Sequence, residues 1–402
     1  MKYSEEEVLQ YVLEDDVKFI RLAFCDVYGR QKNIAIMPDE LSRAFTQGIP
    51  IDGSAIAGFG DGMHSDLLLR PDAATLHQMP WRPEHGKVVR LYADITWPDG
   101  TPFSCDTRRI LKTAVLDAEK AGLHFDLAAK QDFYLFLLNE NGYPTPEPYD
   151  RAGYMDLAPA DRGENIRREI CLTLEQLGIR PESSYHEAGP GQNKIVFRYS
   201  DALSAADNAL TFHTVVNAVA HRNGLAADFS AKPVKGKPGN GFHLVFSVHE
   251  DTGRMFLPQV IAGILEHARA MTIFFNPTEN SYERLGEFKA PGYVCWSEQN
   301  RSPLIRIPGA PGNPRAELRS PDPSANPYLV SALLLYAGMD GIFNDRPLPP
   351  ATDLNLFTAD EAALAHLPKL PSSLTEAREA ASGCTFIREH IPEELLAIYG
   401  IR

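Results

Sequence analysis

Cysteine is scarce in this 402-residue chain. Only Cys25, Cys105, Cys171, Cys295 and Cys384 occur, an odd number with no CxxC pair. That pattern argues against a disulfide framework and against cysteine-ligated zinc, and the expected compartment is a reducing cytoplasm. Long apolar runs are missing as well. The most apolar stretch, LVSALLLYAGMDGIF (329–343), carries Gly and Asp and is too short to span a bilayer, so no membrane partner is expected. The N-terminal MKYSEEEVLQYVLEDD is acidic and amphipathic; it reads as a helix, not as a secretory leader. Positive charge is in short supply: 39 Lys and Arg face 53 Asp and Glu, a formal net charge of −14. A nucleic-acid partner would call for basic patches that neutralise phosphates, so none is expected. With 44% apolar and 23% charged residues, what remains is an ordinary globular composition, long enough for more than one domain.

Residues 1–100 read as a small first domain: a helix, then the strand-like runs VKFIRLAFCDVYG and KVVRLYADITW. Between them lies PIDGSAIAGFGDGMHSDLLLRPD, rich in Gly and Asp, which reads as one long irregular loop of the kind that usually carries function. Residues 101–402 form the second unit. Asp106 is placed to cap a helix whose apolar face is Ile110, Leu111, Ala114, Val115 and Ala118, and Gly122 to end it. The patterning then predicts a strand at 130–138, a helix near 162–177, a hairpin at 184–199 and a long helix near 203–223. Further strands are predicted near 226–232, 242–249, 293–296, 303–308 and 314–319. Strands in runs with helices between them indicate an α+β fold with a mostly antiparallel sheet.

Four polar clusters lie on those strands. Lys130 and Asp132 are two apart and share a strand face. In YHEAGPGQNKIVFRY the Gly-Pro-Gly centre is a turn, so Glu187 and Lys194 lie on arms that can approach one another. KPVKGKPGNGFHLVFSV runs a Gly-rich loop into a strand bearing His243 and Ser247. That loop lacks both the G-K-[ST] ending of a P-loop and the strand-to-helix setting of a dinucleotide fingerprint. In the fourth cluster Arg315, Glu317 and Arg319 alternate with Ala316 and Leu318. Each cluster alone is most simply a solvated charged face. Their coincidence points elsewhere: carboxylates and His suit a hard divalent cation, and arginines suit phosphate and carboxylate groups.

PIDGSAIAGF, SDLLLRPD, the DFYLF strand, HEAGPGQN, AKP followed by GNGFH, NPTENSYERL, NRSPLIRIP and RAELRSPDPSANPYL stand in one order along the chain. In that order they make the sequence resemble the glutamine synthetase family, type I-like, over nearly its whole length. The resemblance implies an N-terminal β-grasp domain (1–100) and a catalytic domain (101–402). It implies a homo-oligomeric ring, a dodecamer or smaller, with active sites shared between neighbouring subunits. The implied reaction uses ATP and Mg²⁺ or Mn²⁺ to phosphorylate a γ-carboxylate, which ammonia then attacks. Carried over by motif, Asp132 and Glu187 match ligands of one metal, and His243 and Glu317 ligands of the second. Arg301 and Arg306 match phosphate-side arginines, while Arg284 and Arg319 match residues near the glutamate carboxylates. Ser247 matches a nucleotide contact, Gly239 a substrate-loop glycine, and Asp52 an aspartate that helps bind ammonium.

The departures from the family pattern lie where the metals would be. The family strand presents two glutamates; here they are Lys130 and the shorter Asp132. Lys194 replaces the hairpin's second metal-binding glutamate, Lys289 stands nearest the acid of the mobile loop with Glu287 as an alternative, and Pro238 replaces a substrate-loop asparagine. Three acid-to-lysine changes alter the local charge by about +6. A Lys⁺ about 6 Å from a divalent cation repels it by roughly 5 kcal/mol at an effective dielectric near 20, and an ammonium offers no lone pair. Metal binding is therefore predicted weak or absent, each ammonium pairing with the remaining acids. Three readings follow. In the first, a glutamine synthetase-like protein has lost ordinary two-metal activity but keeps a pocket for an anionic or small-molecule ligand. In the second, it is an active ATP-dependent amide ligase, glutamate–ammonia or γ-glutamyl–amine, with altered substrate or metal use. In the third, an ordinary glutamine synthetase tolerates the changes.

Overall fold

The computed structural model describes residues 3–60, 62–80, 86–309 and 314–402. Asp61 of the Gly/Asp-rich stretch, residues 310–313 of the fourth cluster and the first two residues of the N-terminal helix segment lie outside the described residues.

The first domain opens with α1 (Glu5–Glu14). Ser4 caps it, accepting from the Glu7 amide while the Glu7 carboxylate accepts from the Ser4 amide. There follow β1 (Val17–Cys25), β2 (Gln31–Ile36), α2 (Leu41–Thr46), β3 (Ile49–Asp52), β4 (Asp66–Pro71), β5 (His77–Gln78) and β6 (Lys87–Thr96). They make one sheet in the order β2-β1-β6-β4-β3, with β5 against β6. The expectation of one irregular loop over 50–72 is corrected: its ends are β3 and β4, paired antiparallel from Ile49↔Leu69 to Asp52↔Asp66. Burial of Ile49, Leu67 and Leu69 supplies the reason, since apolar side chains at alternate positions hold that hairpin on the core.

In the second domain α3 (Thr107–Lys120) starts at Asp106, whose carboxylate accepts from the Arg108 and Arg109 amides. It ends at Gly122, whose φ of +70° suits a residue without Cβ. The next strand is longer than expected. β7 (Leu123–Leu138) begins seven residues early, because Leu123, Phe125 and Leu127 are buried alternately and extend the pairing with the later strand. Then come β8 (Pro144–Pro148), α4 (Glu164–Gln176), β9 (Pro181–His186), β10 (Gln192–Phe197), β11 (Ser200–Asp201), α5 (Ala202–Arg222), β12 (Leu225–Asp228) and β13 (Phe242–Glu250). The chain continues through α6 (Leu257–Phe275), α7 (Glu279–Tyr282), β14 (Trp296–Glu298), β15 (Ile305–Ile307), β16 (Ala316–Leu318) and α8 (Pro327–Phe343), and four short helices close it. The main path is β14-β15-β16-β13-β7-β10-β9, antiparallel except at β14–β15, so the fold is α+β. The apolar run 329–343 lies in α8, a core helix buried on nearly every side. Among the described residues no helix is long and apolar enough to cross a membrane.

A buried charge cluster joins the two domains. The guanidinium of Arg108, on α3, donates to Asp72 and Asp94 of the first domain and to Asp207 on α5, each at 2.9–3.0 Å. Lys112 reaches Asp94 at 2.6 Å, and the Tyr328 hydroxyl donates to Asp207 at 2.7 Å.

Candidate active site

The register of β7, β10, β13 and β16 assembles the site. Lys194 lies directly across from Asp132, His243 across from Lys130, and Glu317 one strand further over. All four strands turn these side chains to one face, where with Glu187, Lys289, Arg284, Arg301 and Arg319 they line a cavity of about 70 Å³. Lys130 and Asp132 both line this cavity, and each pairs with a side chain from another strand.

Lys194 Nζ lies 2.9 Å from Glu187 Oε1 and 3.0 Å from Asp132 Oδ1. Lys289 Nζ stands 3.6 Å from the second Glu187 oxygen and 4.3 Å from the centre of the Tyr154 ring. Lys130 Nζ is 3.4 Å from Glu317 Oε1, which also meets His243 Nδ1 at 3.1 Å, while Arg306 reaches Glu317 Oε2 at 3.2 Å. Ammonium groups thus pair with the acids of both sets that the resemblance implied as metal ligands. Glu287 is engaged elsewhere: its carboxylate accepts from Lys232 at 2.6 Å, and the Phe288 ring covers that ammonium at 4.6 Å. Of the two residues weighed for the loop position, Lys289 is the one that meets Glu187.

Electrostatics follow from this crowding. Burial alone would push Lys194 down, but the carboxylates of Asp132 and Glu187 outweigh it and hold the ammonium above the usual lysine range. Burial, with the Glu187 charge beside it, lifts Asp132 to about 6 although Lys194 pulls the other way. In Glu187 burial is outweighed by Lys194 and Lys289, and the carboxyl titrates low. Glu317 is likewise held well below the carboxylate range against its burial, by the His243 hydrogen bond and the Lys130 and Arg319 charges. His243 is pushed down to about 3, mainly by burial, so its imidazole is neutral and donates from Nδ1. Lys130 is lowered by burial, with Lys194 and Arg306 adding repulsion against the attraction of Glu317.

The arginines are held by the protein itself. Arg284 donates to the Ser320 carbonyl at 2.7 Å and to that of Arg319 at 3.2 Å. Arg319 donates to the carbonyls of Lys289 at 2.9 Å and of Arg301. Burial, with Arg284, Arg301 and Arg306 nearby, brings Arg319 down to about 10. Glu317 and Arg319 are both buried, so the 315–319 stretch does not present a solvated charged face at those two positions. Gly239 is fixed by close approach: a Cβ there would run into the Ala231 carbonyl oxygen and stand 2.9 Å from Arg284 Cγ. The carbonyl of Pro238, in the same loop, accepts from the Tyr134 hydroxyl at 2.6 Å.

Three expected site residues do not line this cavity: Arg306 touches it only through Glu317, and Asp52 and Ser247 are not brought to it. Asp52, at the exposed end of β3, accepts from the Ser54 amide and hydroxyl. Ser247 shares the His243 face of β13 but stands four residues on, opposite Asp126. Other residues of the site were not anticipated. Tyr154, Tyr185 and Phe288 line the cavity and Lys232 holds its loop; of these only Lys232 carried a signal, through its place in the AKP motif.

A site for two divalent cations needs oxygen or nitrogen lone pairs facing the ions. In the first set an ammonium already lies within 3.0 Å of both carboxylates, and in the second an ammonium and a guanidinium hold Glu317. These residues do not fit a two-metal centre.

A β-grasp sheet followed by an α+β domain, with the site on the face of its antiparallel sheet, is the two-domain architecture described by two family models. Residues 16–98 match the β-grasp domain of glutamine synthetase and residues 104–400 its catalytic domain. The chain belongs to the glutamine synthetase family, whose members generally use ATP and divalent metals. It is 44% identical over 392 residues to a glutamine synthetase of Clostridium saccharobutylicum, covering 94% of this chain and 88% of that one. A Methanosarcina mazei glutamine synthetase is 42% identical over 412 residues, covering 98% and 92%. Among solved structures, one described as "GmaS/ADP complex-Conformation 1" superposes with a TM-score of 0.89 at 28% identity, covering 98% of this chain and 94% of that one.

Proposed function

We propose that this chain keeps the family's ligand cavity but does not carry out the two-metal ligation of ammonia to glutamate. One observation carries this reading: Lys194 Nζ is 2.9 and 3.0 Å from the carboxylates of Glu187 and Asp132. With the ammonium there, the charge that a metal would supply is permanent and belongs to the side chain. The cavity then suits a small anion, which Arg301 and the lysines would attract. Arg284 and Arg319, held on backbone carbonyls, shape its wall. A homo-oligomeric ring with shared sites belongs to the same reading. Asp52, exposed and outside the lining of its own chain's cavity, would in that reading serve a neighbouring subunit.

The comparisons favour a second reading over loss of activity. Relatives at 40–44% identity are named glutamine synthetases, and a structural neighbour is an ADP complex. In that reading the chain is an active ATP-dependent amide ligase with altered substrate or metal use, and its lysines contact phosphate directly. One assay separates the two: incubation with glutamate, ATP, Mg²⁺ and either ammonium or a panel of primary amines, scored for γ-glutamyl product and ADP. The first reading predicts no product with any of them. Turnover near 1 s⁻¹ or faster, ordinary for enzymes, establishes the second.

A further inference from the structure

Gln131 stands between Lys130 and Asp132 on β7, so its side chain points to the opposite face of the sheet. It is fully buried. Its Oε1 is 2.7 Å from His213 Nε2, and its Nε2 has no partner. His213 is kept neutral by burial, at about 4, and stacks on Phe229 with ring centres 3.9 Å apart. Because the imidazole is neutral, turning the amide over would leave the oxygen without a partner instead. A buried amide atom therefore lacks a partner in either orientation, which is costly unless something meets it.

Gln131 and His213 line a void of about 10 Å³, room for about one water-sized atom such as a single ligand oxygen. Through the shared walls of Leu210, His213 and Pro323 the void adjoins a cleft of about 400 Å³ at the junction of the two domains. The β1–β2 turn supplies one side of that cleft and α5 the other. Its lining carries one cationic side chain, Arg30, and no carboxylate among the described residues. Thr214 and Gln31, hydrogen-bonded to each other at 3.1 Å, tie the two sides together.

We propose that this cleft is a second ligand site that takes a small molecule bearing one carboxylate on an apolar body. The carboxylate meets the Gln131 amide at the deep end, and Arg30 supplies the attracting charge at the mouth. A ligand there is separated from the lysine cavity by a single strand, with Lys130 and Asp132 flanking the residue it touches. The proposal is independent of whether the front cavity performs ligation.

The test is ¹⁹F NMR of the full chain titrated with 4-fluorobenzoate. The expected result is a saturable shift, weakened about tenfold by Gln131→Glu, which sets like charges together, and several-fold by Arg30→Ala. Arg301→Ala, in the front cavity, should leave the titration unchanged. Arg30 lies on an exposed turn, so its variant decides the matter if the Gln131 variant does not fold. Absence of saturable binding overturns the proposal. So does binding indifferent to the rear substitutions, or binding abolished by Arg301→Ala, which would place the carboxylate in the lysine cavity.

Discussion

At the domain junction one guanidinium, Arg108, faces three carboxylates, Asp72, Asp94 and Asp207, with Lys112 beside them. In the cavity six cationic side chains face four carboxylates. Both clusters are largely buried and both are laced by contacts near 3 Å. At the junction acids outnumber bases, and the planar fork of Arg108 spreads its donors over every acid. That is what holding two domains together requires. In the cavity bases outnumber acids; burial lowers Lys130, Arg284 and Arg319 and raises Asp132, and neighbouring cations add to the fall at Lys130 and Arg319. A surplus of one charge sign around an enclosed space makes a receptor for the opposite sign. The difference in charge balance, more than burial, separates the scaffold from the site.

The comparison is broken most directly by removing one cation from each cluster. Arg108→Met leaves three carboxylates without their main partner and should cost about 3–5 kcal/mol in urea unfolding at pH 7. Lys194→Met should cost less, because Asp132 can discharge itself. Its folded value of about 6 lies above that of an unfolded aspartate, near 3.9. The unfavourable ionised form is thus present above pH 6 and is relieved as pH falls through that value. The Lys194→Met penalty should therefore shrink between pH 7 and pH 5. At Asp72, by contrast, Arg108 and Lys112 overcome burial and keep the carboxyl low, so the Arg108→Met penalty should not shrink in the same way. Equal penalties with the same pH dependence would remove the distinction.

A smaller effect sharpens it. Lys130→Glu with Lys194→Glu reverses the surplus and restores two oxygen ligands, so Mg²⁺ or Mn²⁺ affinity by calorimetry should rise at least about tenfold. Tight metal binding by the unmodified chain, with no gain in the double variant, would count against the role given to the lysines.

Much of the site was legible in the sequence because strand periodicity and a tight turn are local. Two-residue spacing put Lys130 and Asp132 on one face, and the Gly-Pro-Gly turn brought Glu187 to Lys194. Partner choice was not legible. That Lys130 meets Glu317 and not Asp132 depends on the register of β7, β13 and β16, which no local pattern fixes. The junction around Arg108 escaped for the same reason, since its acids come from residues 72, 94 and 207. The β3–β4 hairpin was hidden by the Gly/Asp-rich stretch between its strands, where composition outweighed two short apolar alternations. Gln131 went unremarked because its consequence, an amide atom left without a partner behind the sheet, exists only once α5 has packed there.

The central claim is that lysine ammonium groups hold the positions of divalent ions. Crystals grown with Mn²⁺ and a non-hydrolysable ATP analogue, measured for anomalous scattering, test it most directly. The account predicts no manganese peak between Asp132 and Glu187, with Lys194 Nζ filling the density there, and none beside His243 and Glu317. Two ordered manganese peaks bridging these side chains to the analogue would contradict it.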